Sequence, residues 1–158
     1  MNLKLGGKEI SLRIVIKIFM LVALVGFFCP FVSVSCGNEE VAQIKGKEMI
    51  TAEYAEEAKA LGVEVNTDVG LTVALVVGVI GFGCTFIKDA EISSVFSCGS
   101  AAIAALFMLF SRYYIENSTQ SYESVIQINF MWGWYTVFLI YLLTAVVAYW
   151  NYRTVKRM

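Results

Sequence analysis

The chain has 158 residues, of which 58% are hydrophobic and only 16% are charged. Soluble globular proteins carry about 25% charged residues, so this composition, with a mean hydropathy of +0.69, indicates a single membrane domain over residues 1–158. The net charge of −1 argues against a nucleic acid as partner, and the absence of histidine removes the commonest metal ligand and general base.

The first predicted element is a transmembrane helix over residues 14–34, which are almost all apolar. The segment before it carries three cations and one carboxylate, so the positive-inside rule predicts that the N-terminus stays in the cytoplasm. Pro30 should disturb the end of this helix because it lacks an amide hydrogen. A basic segment, an apolar core and small residues before Cys36 also fit a cleaved signal peptide, which would leave three helices.

Residues 37–68 are predicted to form an acidic outer loop, because they contain eight carboxylates and only three lysines. Apolar and polar residues alternate in residues 31–35 and again in residues 41–45, on either side of Gly-Asn-Glu-Glu. This pattern predicts a β-hairpin at the membrane surface. Thr51 is a suitable cap for a short helix over residues 52–61. The carboxylate spacing fits no EF-hand pattern, so a solvated surface is expected there.

Two more transmembrane helices are predicted over residues 69–87 and 92–111, neither of which contains a charged residue. Each has the length that crosses roughly 30 Å of hydrocarbon at about 1.5 Å per residue. The polar break between them, residues 88–91, is too short to do more than reverse the chain. These segments therefore predict a helical hairpin.

Small residues recur at every fourth position along both helices of this hairpin. They are Gly70, Ala74 and Gly78 on the first helix and Ser97, Ala101 and Ala105 on the second. Helices in lipid associate by close backbone approach, so these positions predict the contact faces, while a solute path lined by serine and glycine is the alternative. Gly81 and Gly83 are not matched in this way, and a partner helix is expected there.

The last transmembrane helix is predicted over residues 128–150, after a second outer loop over residues 112–127 that contains a glycosylation sequon at Asn117. Tryptophans at both ends of this helix predict the two interfacial aromatic belts. They are Trp132, Trp134 and Trp150. Three cations follow the helix, so the C-terminus is also expected in the cytoplasm. The expected location is the plasma (inner) membrane, crossed four times.

Four cysteines raise the question of a redox function. Cys29 and Cys36 form either a structural disulfide in an oxidising compartment or two separate thiols. Quinone-linked enzymes that make disulfides resemble this four-helix layout, but they use a C-x-x-C pair, whereas these two cysteines are seven positions apart. Cys84 and Cys98 are expected inside helices as small packing residues.

No ionisable residue lies deep within any predicted transmembrane helix. A proton-coupled or ion-coupled carrier needs such groups, each of which costs about 2.5 to 3.5 kcal/mol at the helix centre, so that mechanism is not expected. A pore lined by hydroxyl and backbone groups remains an alternative. No nucleotide-binding glycine loop, catalytic triad or zinc-ligand spacing is present, so neither a cofactor nor a metal is expected.

The sequence Pro-Phe-Val-Ser-Val-Ser-Cys-Gly at residues 30–37 resembles the P-F-x-x-V-S-C-G segment that follows the first helix of small bacterial membrane proteins. This resemblance implies a membrane protein and no particular activity. The order of four helices with a β-containing first outer loop is also similar to the claudins in topology. The chain departs from the claudin motif, because its first tryptophan is Trp132 and the first outer loop has none.

Together, these features predict an all-α integral membrane protein, a bundle of four transmembrane helices with a small β-hairpin and short-helix cap outside. The expected function is that of a non-enzymatic interaction or accessory subunit. Its partners would be the lipid bilayer and either another membrane protein or a second copy of the chain. A small oligomeric channel or transporter is the first alternative, and a membrane thiol-disulfide oxidoreductase is the second.

Overall fold

The computed structural model describes residues 2–5, 8–36, 39–51, 67–119 and 126–157. Within these ranges the chain forms five helices and five strands. The helices are α1 (Leu12–Gly26), α2 (Gly46–Thr51), α3 (Val69–Cys84), α4 (Ala90–Thr119) and α5 (Trp132–Val155). The strands are β1 (Asn2–Leu5), β2 (Lys8–Ser11), β3 (Pro30–Cys36), β4 (Glu39–Lys45) and β5 (Ile126–Phe130). The short helix predicted over residues 52–61 lies outside the described residues.

The four long helices, α1, α3, α4 and α5, form one bundle in which α4 packs against α3 and α5, and α5 also packs against α1. The prediction of a mostly helical protein is confirmed, with a fifth, six-residue helix in addition to the four expected. In the described part of the chain, α4 and α5 are long and apolar enough to cross a membrane. The 16-residue α3 is a shorter apolar helix.

The first predicted helix is too long, because α1 ends at Gly26 and not near residue 34. Turn hydrogen bonds continue through Cys29, whose amide donates to the Gly26 carbonyl at 2.9 Å. Pro30 then begins β3, since proline disfavours helix at the residue before it and cannot donate to a helical carbonyl. The apolar run at residues 31–34 is therefore strand.

The other three predicted helices also have different ends. Helix α3 ends at Cys84 instead of at residue 87. Just after this end, the Thr85 hydroxyl donates to the Phe82 carbonyl at 2.7 Å. Helix α4 has 30 residues and is longer at both ends than the predicted helix over residues 92–111. It begins earlier because the Asp89 carboxylate caps its first turn, and it continues to Thr119. The predicted helix over residues 128–150 begins at Trp132 and ends at Val155, because residues 128–130 belong to β5.

The predicted β-hairpin is confirmed by antiparallel pairing of β3 with β4, in which Ser33 lies opposite Gln43. Strand β5, which was not predicted, pairs with the other edge of β3 to give the order β4-β3-β5. The separate β1-β2 hairpin before α1 was not predicted either. Within the predicted outer loop over residues 112–127, residues 112–119 belong to α4 and residues 126–127 to β5.

The three-stranded sheet is attached directly to one end of the bundle. The Met131 amide donates to the Phe31 carbonyl at 2.8 Å, and the Lys47 amide donates to the Phe27 carbonyl at 2.8 Å. A Cβ atom on Gly133 would overlap the Pro30 carbonyl oxygen, so glycine is needed where α5 starts beneath β3. We call this end of the bundle the sheet end. The opposite end, with the turn at residues 85–89, is the turn end.

Candidate functional site

The bundle carries large apolar side chains on its outside, and its interior combines large apolar side chains with small and polar ones. On α4, for example, Leu106 is 64% exposed while Ser97 is 1% exposed. Outward apolar side chains are found on all four long helices, among them Ile18, Val76, Phe110 and Val146. Buried polar residues on α4 and α5 are Ser93, Ser94, Ser97, Ser100, Ser111, Thr144 and Asn151. The outward face of a helix in a water-soluble bundle carries charged and polar side chains instead.

All six small residues that the sequence assigned to helix packing lie in the bundle interior. They are Gly70, Ala74, Gly78, Ser97, Ala101 and Ala105. A Cβ atom on Gly70 would lie 2.9 Å from the Ser111 Cβ, and one on Gly78 would overlap the Tyr141 hydroxyl oxygen. Glycine at these positions therefore allows α3 to approach both α4 and α5 closely.

Gly81 and Gly83 have different environments, although the same partner-helix contact was predicted for both. A Cβ atom on Gly81 would overlap the Ser100 hydroxyl oxygen and lie 2.9 Å from the Met20 Cε, so Gly81 already packs inside the bundle. This corrects its assignment to a partner helix. Gly83 on α3 and Gly99 on α4 have no atom within 4 Å of an added Cβ among the described residues, so both backbones are open to the outside.

The centre of the bundle is filled by large side chains, Met20, Leu71, Met108 and Tyr141, each with 0% exposure. Towards the turn end, the Asn151 side-chain amide donates to the Ser94 hydroxyl at 2.7 Å, and Ser94 donates to the Ala90 carbonyl at 2.7 Å. This hydrogen bond joins α5 to α4 across a buried interface. The hydroxyls of Ser97 and Tyr141 have no hydrogen-bond partner within the described part of the chain.

The turn end is held together by cations of α1. The Arg13 guanidinium donates to the carbonyl oxygens of Ile87 and Lys88, at 3.2 Å for Lys88. The Lys17 ammonium lies 4.5 Å from the centre of the Phe86 ring, a cation–π contact. The basic N-terminal segment therefore bonds the turn between α3 and α4.

The last turns of α5 form a cleft of about 520 Å³ on the surface at the turn end. Its lining residues are Val146, Tyr149, Trp150, Arg153, Thr154 and Arg157. Trp150 is 61% exposed. From the sequence, Trp150 was assigned to an aromatic belt and Arg153 to the flanking basic tail. In the structure both line the same face of α5.

The three tryptophans assigned to the belts do not share one environment. Trp132 and Trp150 are exposed, whereas Trp134 is only 2% exposed. The predicted position of Trp134 in an interfacial belt is therefore corrected. Trp134 shares the inward face of α5 with Val137 and Tyr141, three and seven positions further on. Its ring stacks on Phe138 at 5.3 Å between ring centres, so it is a core residue.

Two charged side chains at the sheet end, Arg112 and Asp68, are bonded within the protein. The Arg112 Nε donates to the Glu116 Oε1 at 2.8 Å, and the guanidinium carbon lies 5.2 Å from the Phe130 ring and 5.5 Å from the Trp134 ring. The Asp68 carboxylate accepts the Leu71 amide at 2.9 Å and the Ser111 hydroxyl at 2.5 Å. Asp68 therefore both caps α3 and ties it to α4.

The structure does not bring Cys29 and Cys36 together. The extended strand β3 fills the positions between them and spans about 20 Å at about 3.3 Å per residue. A disulfide needs Cα atoms within about 7 Å, and the Cys29 thiol is free, so this backbone favours two separate thiols. Cys84 and Cys98 are also free thiols and are half-buried.

Within the described residues, no three His, Cys, Asp or Glu side chains form a group that could hold a metal ion. In comparisons with known proteins, no family model, no curated protein and no solved structure matches the chain. The surface of the bundle and the contents of its interior therefore carry the functional argument.

Proposed function

We propose that this chain is a four-pass integral membrane protein, in which α1, α3, α4 and α5 cross the bilayer. The observation that carries the proposal is the apolar outer surface of the bundle, with exposed residues such as Leu106 and Phe110, together with serines buried inside. In lipid, large apolar side chains gain nothing by leaving the surface, and helices associate through small residues and hydrogen bonds. The packing at Gly70 and Gly78 and the Asn151 to Ser94 hydrogen bond have this character.

The lengths of the helices are compatible with this placement. Helices α4 and α5 have 30 and 24 residues, more than the about 20 that a span requires. Helices α1 and α3 have 15 and 16 residues and cover about 22 to 24 Å. Exposed Phe28 and Phe86 extend their apolar surfaces, and local thinning of the bilayer accommodates the remaining difference.

The charges support an orientation with the turn end in the cytoplasm. Cations are concentrated at that end, on the first turns of α1, in the turn between α3 and α4, and in the last turn of α5 and the residues after it. They are Arg13, Lys17, Lys88, Arg153, Lys156 and Arg157. Positively charged segments next to membrane helices stay in the cytoplasm, so both termini would lie inside and the three-stranded sheet outside.

The activity that we propose is non-enzymatic, that of an interaction or accessory subunit. The interior is occupied by side chains that bond and pack with one another, whereas α3 and α4 each leave one glycine backbone open to the outside, at Gly83 and Gly99. Gly70 meets Ser111 and Gly81 meets Ser100, so this antiparallel register puts Gly83 level with Cys98, next to Gly99. A glycine inside a helix costs about 1 kcal/mol relative to alanine, which a close contact with a partner helix would offset.

The experiment is purification in mild detergent from the native host, with identification and stoichiometry of any companion protein. We expect a defined companion that is lost from Gly83→Leu and Gly99→Leu, because leucine fills the open space. Val76→Leu is the matched control, since Val76 is equally exposed on α3 and already has a side chain. Recovery of the chain alone contradicts the accessory function, and loss of the companion from the control as well contradicts the glycine surface.

The channel or transporter alternative has less support from the packing. In the described residues of a single bundle, Met20, Leu71 and Met108 fill the centre and leave no path there for an ion or a solute. The alternative predicts ion or solute flux in liposomes that contain the purified chain. Flux that rises with protein density would favour an oligomeric pore over the accessory function.

A further inference from the structure

The surface cleft at the end of α5 has an ordered chemistry along its length. Its lining residues recur three or four positions apart from Val146 to Arg157, so they share one helix face of about 16 Å. The apolar Val146 begins this face, and the exposed rings of Tyr149 and Trp150 follow. The face ends with the charged side chains of Arg153 and Arg157. The cleft thus changes from apolar to aromatic to cationic along one direction.

The positive charge of this cleft is not neutralised by the described parts of the protein. Arg153 lies over the Tyr149 ring, with 5.9 Å between the guanidinium carbon and the ring centre. Neither Arg153 nor Arg157 forms an ion pair with any described carboxylate, in contrast to Arg112, which is paired with Glu116. The neighbouring Lys156 is directed away, towards the Tyr152 hydroxyl at 3.5 Å.

We propose that this cleft binds the headgroup of an anionic phospholipid from the cytoplasmic leaflet. Arg153 and Arg157 bind the phosphate, the rings of Tyr149 and Trp150 lie at the glycerol level, and Val146 contacts the start of an acyl chain. The inference rests on the proposed placement of α5 across the membrane. A free phosphate ion would use only the two arginines, whereas the apolar and aromatic half of the cleft matches a lipid.

The cleft is open to the surface and has a volume of about 520 Å³, so a headgroup can reach it from the membrane. Each arginine near an anionic lipid surface contributes about fivefold in affinity, so loss of both weakens binding about 20-fold or more. Phosphatidylcholine carries no net charge, so its electrostatic attraction to the two arginines is weaker. The site should therefore select phosphatidylglycerol over phosphatidylcholine.

The test is native mass spectrometry of the full chain, purified in detergent and mixed with phosphatidylglycerol or phosphatidylcholine. We expect retention of one phosphatidylglycerol that inorganic phosphate does not displace, and about 20-fold weaker retention by the double variant Arg153→Gln, Arg157→Gln. The matched control is Lys88→Gln, Lys156→Gln, which removes the same charge outside the cleft and should weaken retention clearly less, because neither lysine lines the cleft.

Equal retention of the two lipids, or equal loss in the two double variants, would overturn the inference. Occupation of the site by inorganic phosphate in place of the lipid would also overturn it, because the ligand would then be a free anion. Membrane placement is checked separately by reconstitution into liposomes. A chain that inserts into the bilayer but shows no lipid preference contradicts only this inference, whereas a chain that does not insert contradicts the proposed function.

Discussion

The interior of the bundle and its outer surface differ in side-chain size and polarity. The interior combines large side chains such as Met20 and Tyr141 with glycine, alanine, serine and the buried Asn151, while the surface contains mainly leucine, isoleucine, valine and phenylalanine. On α4 the two environments alternate within one turn, because Ser97 is buried and Phe96 is 56% exposed. The difference indicates that close approach and hydrogen bonding stabilise the bundle, whereas its surface is suited to lipid.

The largest expected effect comes from adding volume to the interior. Gly78→Leu places a side chain where the Tyr141 hydroxyl and Leu24 already lie, so we expect a loss of about 3 kcal/mol in the free energy of unfolding. The measurement is the unfolding midpoint in detergent. The same change at the surface, Gly83→Leu, should leave the midpoint unchanged or raise it slightly, because nothing described lies within 4 Å and leucine favours the helix more than glycine does. Equal losses in the two variants would remove the distinction between interior and surface.

The helix ends show what the sequence could and could not predict. Apolar segments located all four long helices, because length and lack of charge are sufficient for that. They could not place the end of α1 at Gly26, since the apolar run continues into β3 and hydrophobicity alone does not separate a buried strand from a helix. Apolar and polar residues alternate in Ile126–Phe130, which is a usable signal for β5. The prediction instead divided this segment between the outer loop and the start of the last helix at residue 128.

Side-chain environments were harder to predict than elements. Trp134 was assigned to an interface from its position in the chain, whereas the phase of α5 decides that it is buried. Asn151 was not identified, because a polar residue near a helix end looks like the edge of the membrane. Its partner Ser94 is 57 positions away, and only the crossing of α4 and α5 brings the two together. The pairing of Gly78 with Tyr141 likewise depends on helix packing.

A smaller effect is expected from the buried hydrogen bond between Asn151 and Ser94. Asn151→Ala or Ser94→Ala should each lower the free energy of unfolding by about 1 kcal/mol, because interhelical hydrogen bonds in membranes contribute roughly 0.6 to 1.7 kcal/mol. A double-mutant cycle measured by reversible unfolding checks this. The two losses should not add, since both variants remove the same bond. Additive losses would show that the two side chains act independently.

The smallest effect is expected at Ser97, which is buried like Ser94 but whose hydroxyl has no partner among the described residues. Ser97→Ala should change the free energy of unfolding by less than about 0.5 kcal/mol, or increase it slightly, because no hydrogen bond is lost. The same unfolding measurement, with Ser94→Ala as the matched comparison, separates a bonded from an unbonded buried hydroxyl. A loss at Ser97 as large as that at Ser94 would indicate a partner that the packing does not account for.

The most direct test of the membrane placement is the environment of the outward apolar surface of the bundle. A spin label at Leu106→Cys, in a chain whose native cysteines are replaced, reports whether this exposed position of α4 lies in lipid or water. After reconstitution into liposomes, the account predicts high accessibility to oxygen and low accessibility to a water-soluble nickel chelate, with the reverse for a label at Arg157→Cys. Equal accessibility of the two positions to the nickel chelate would contradict it.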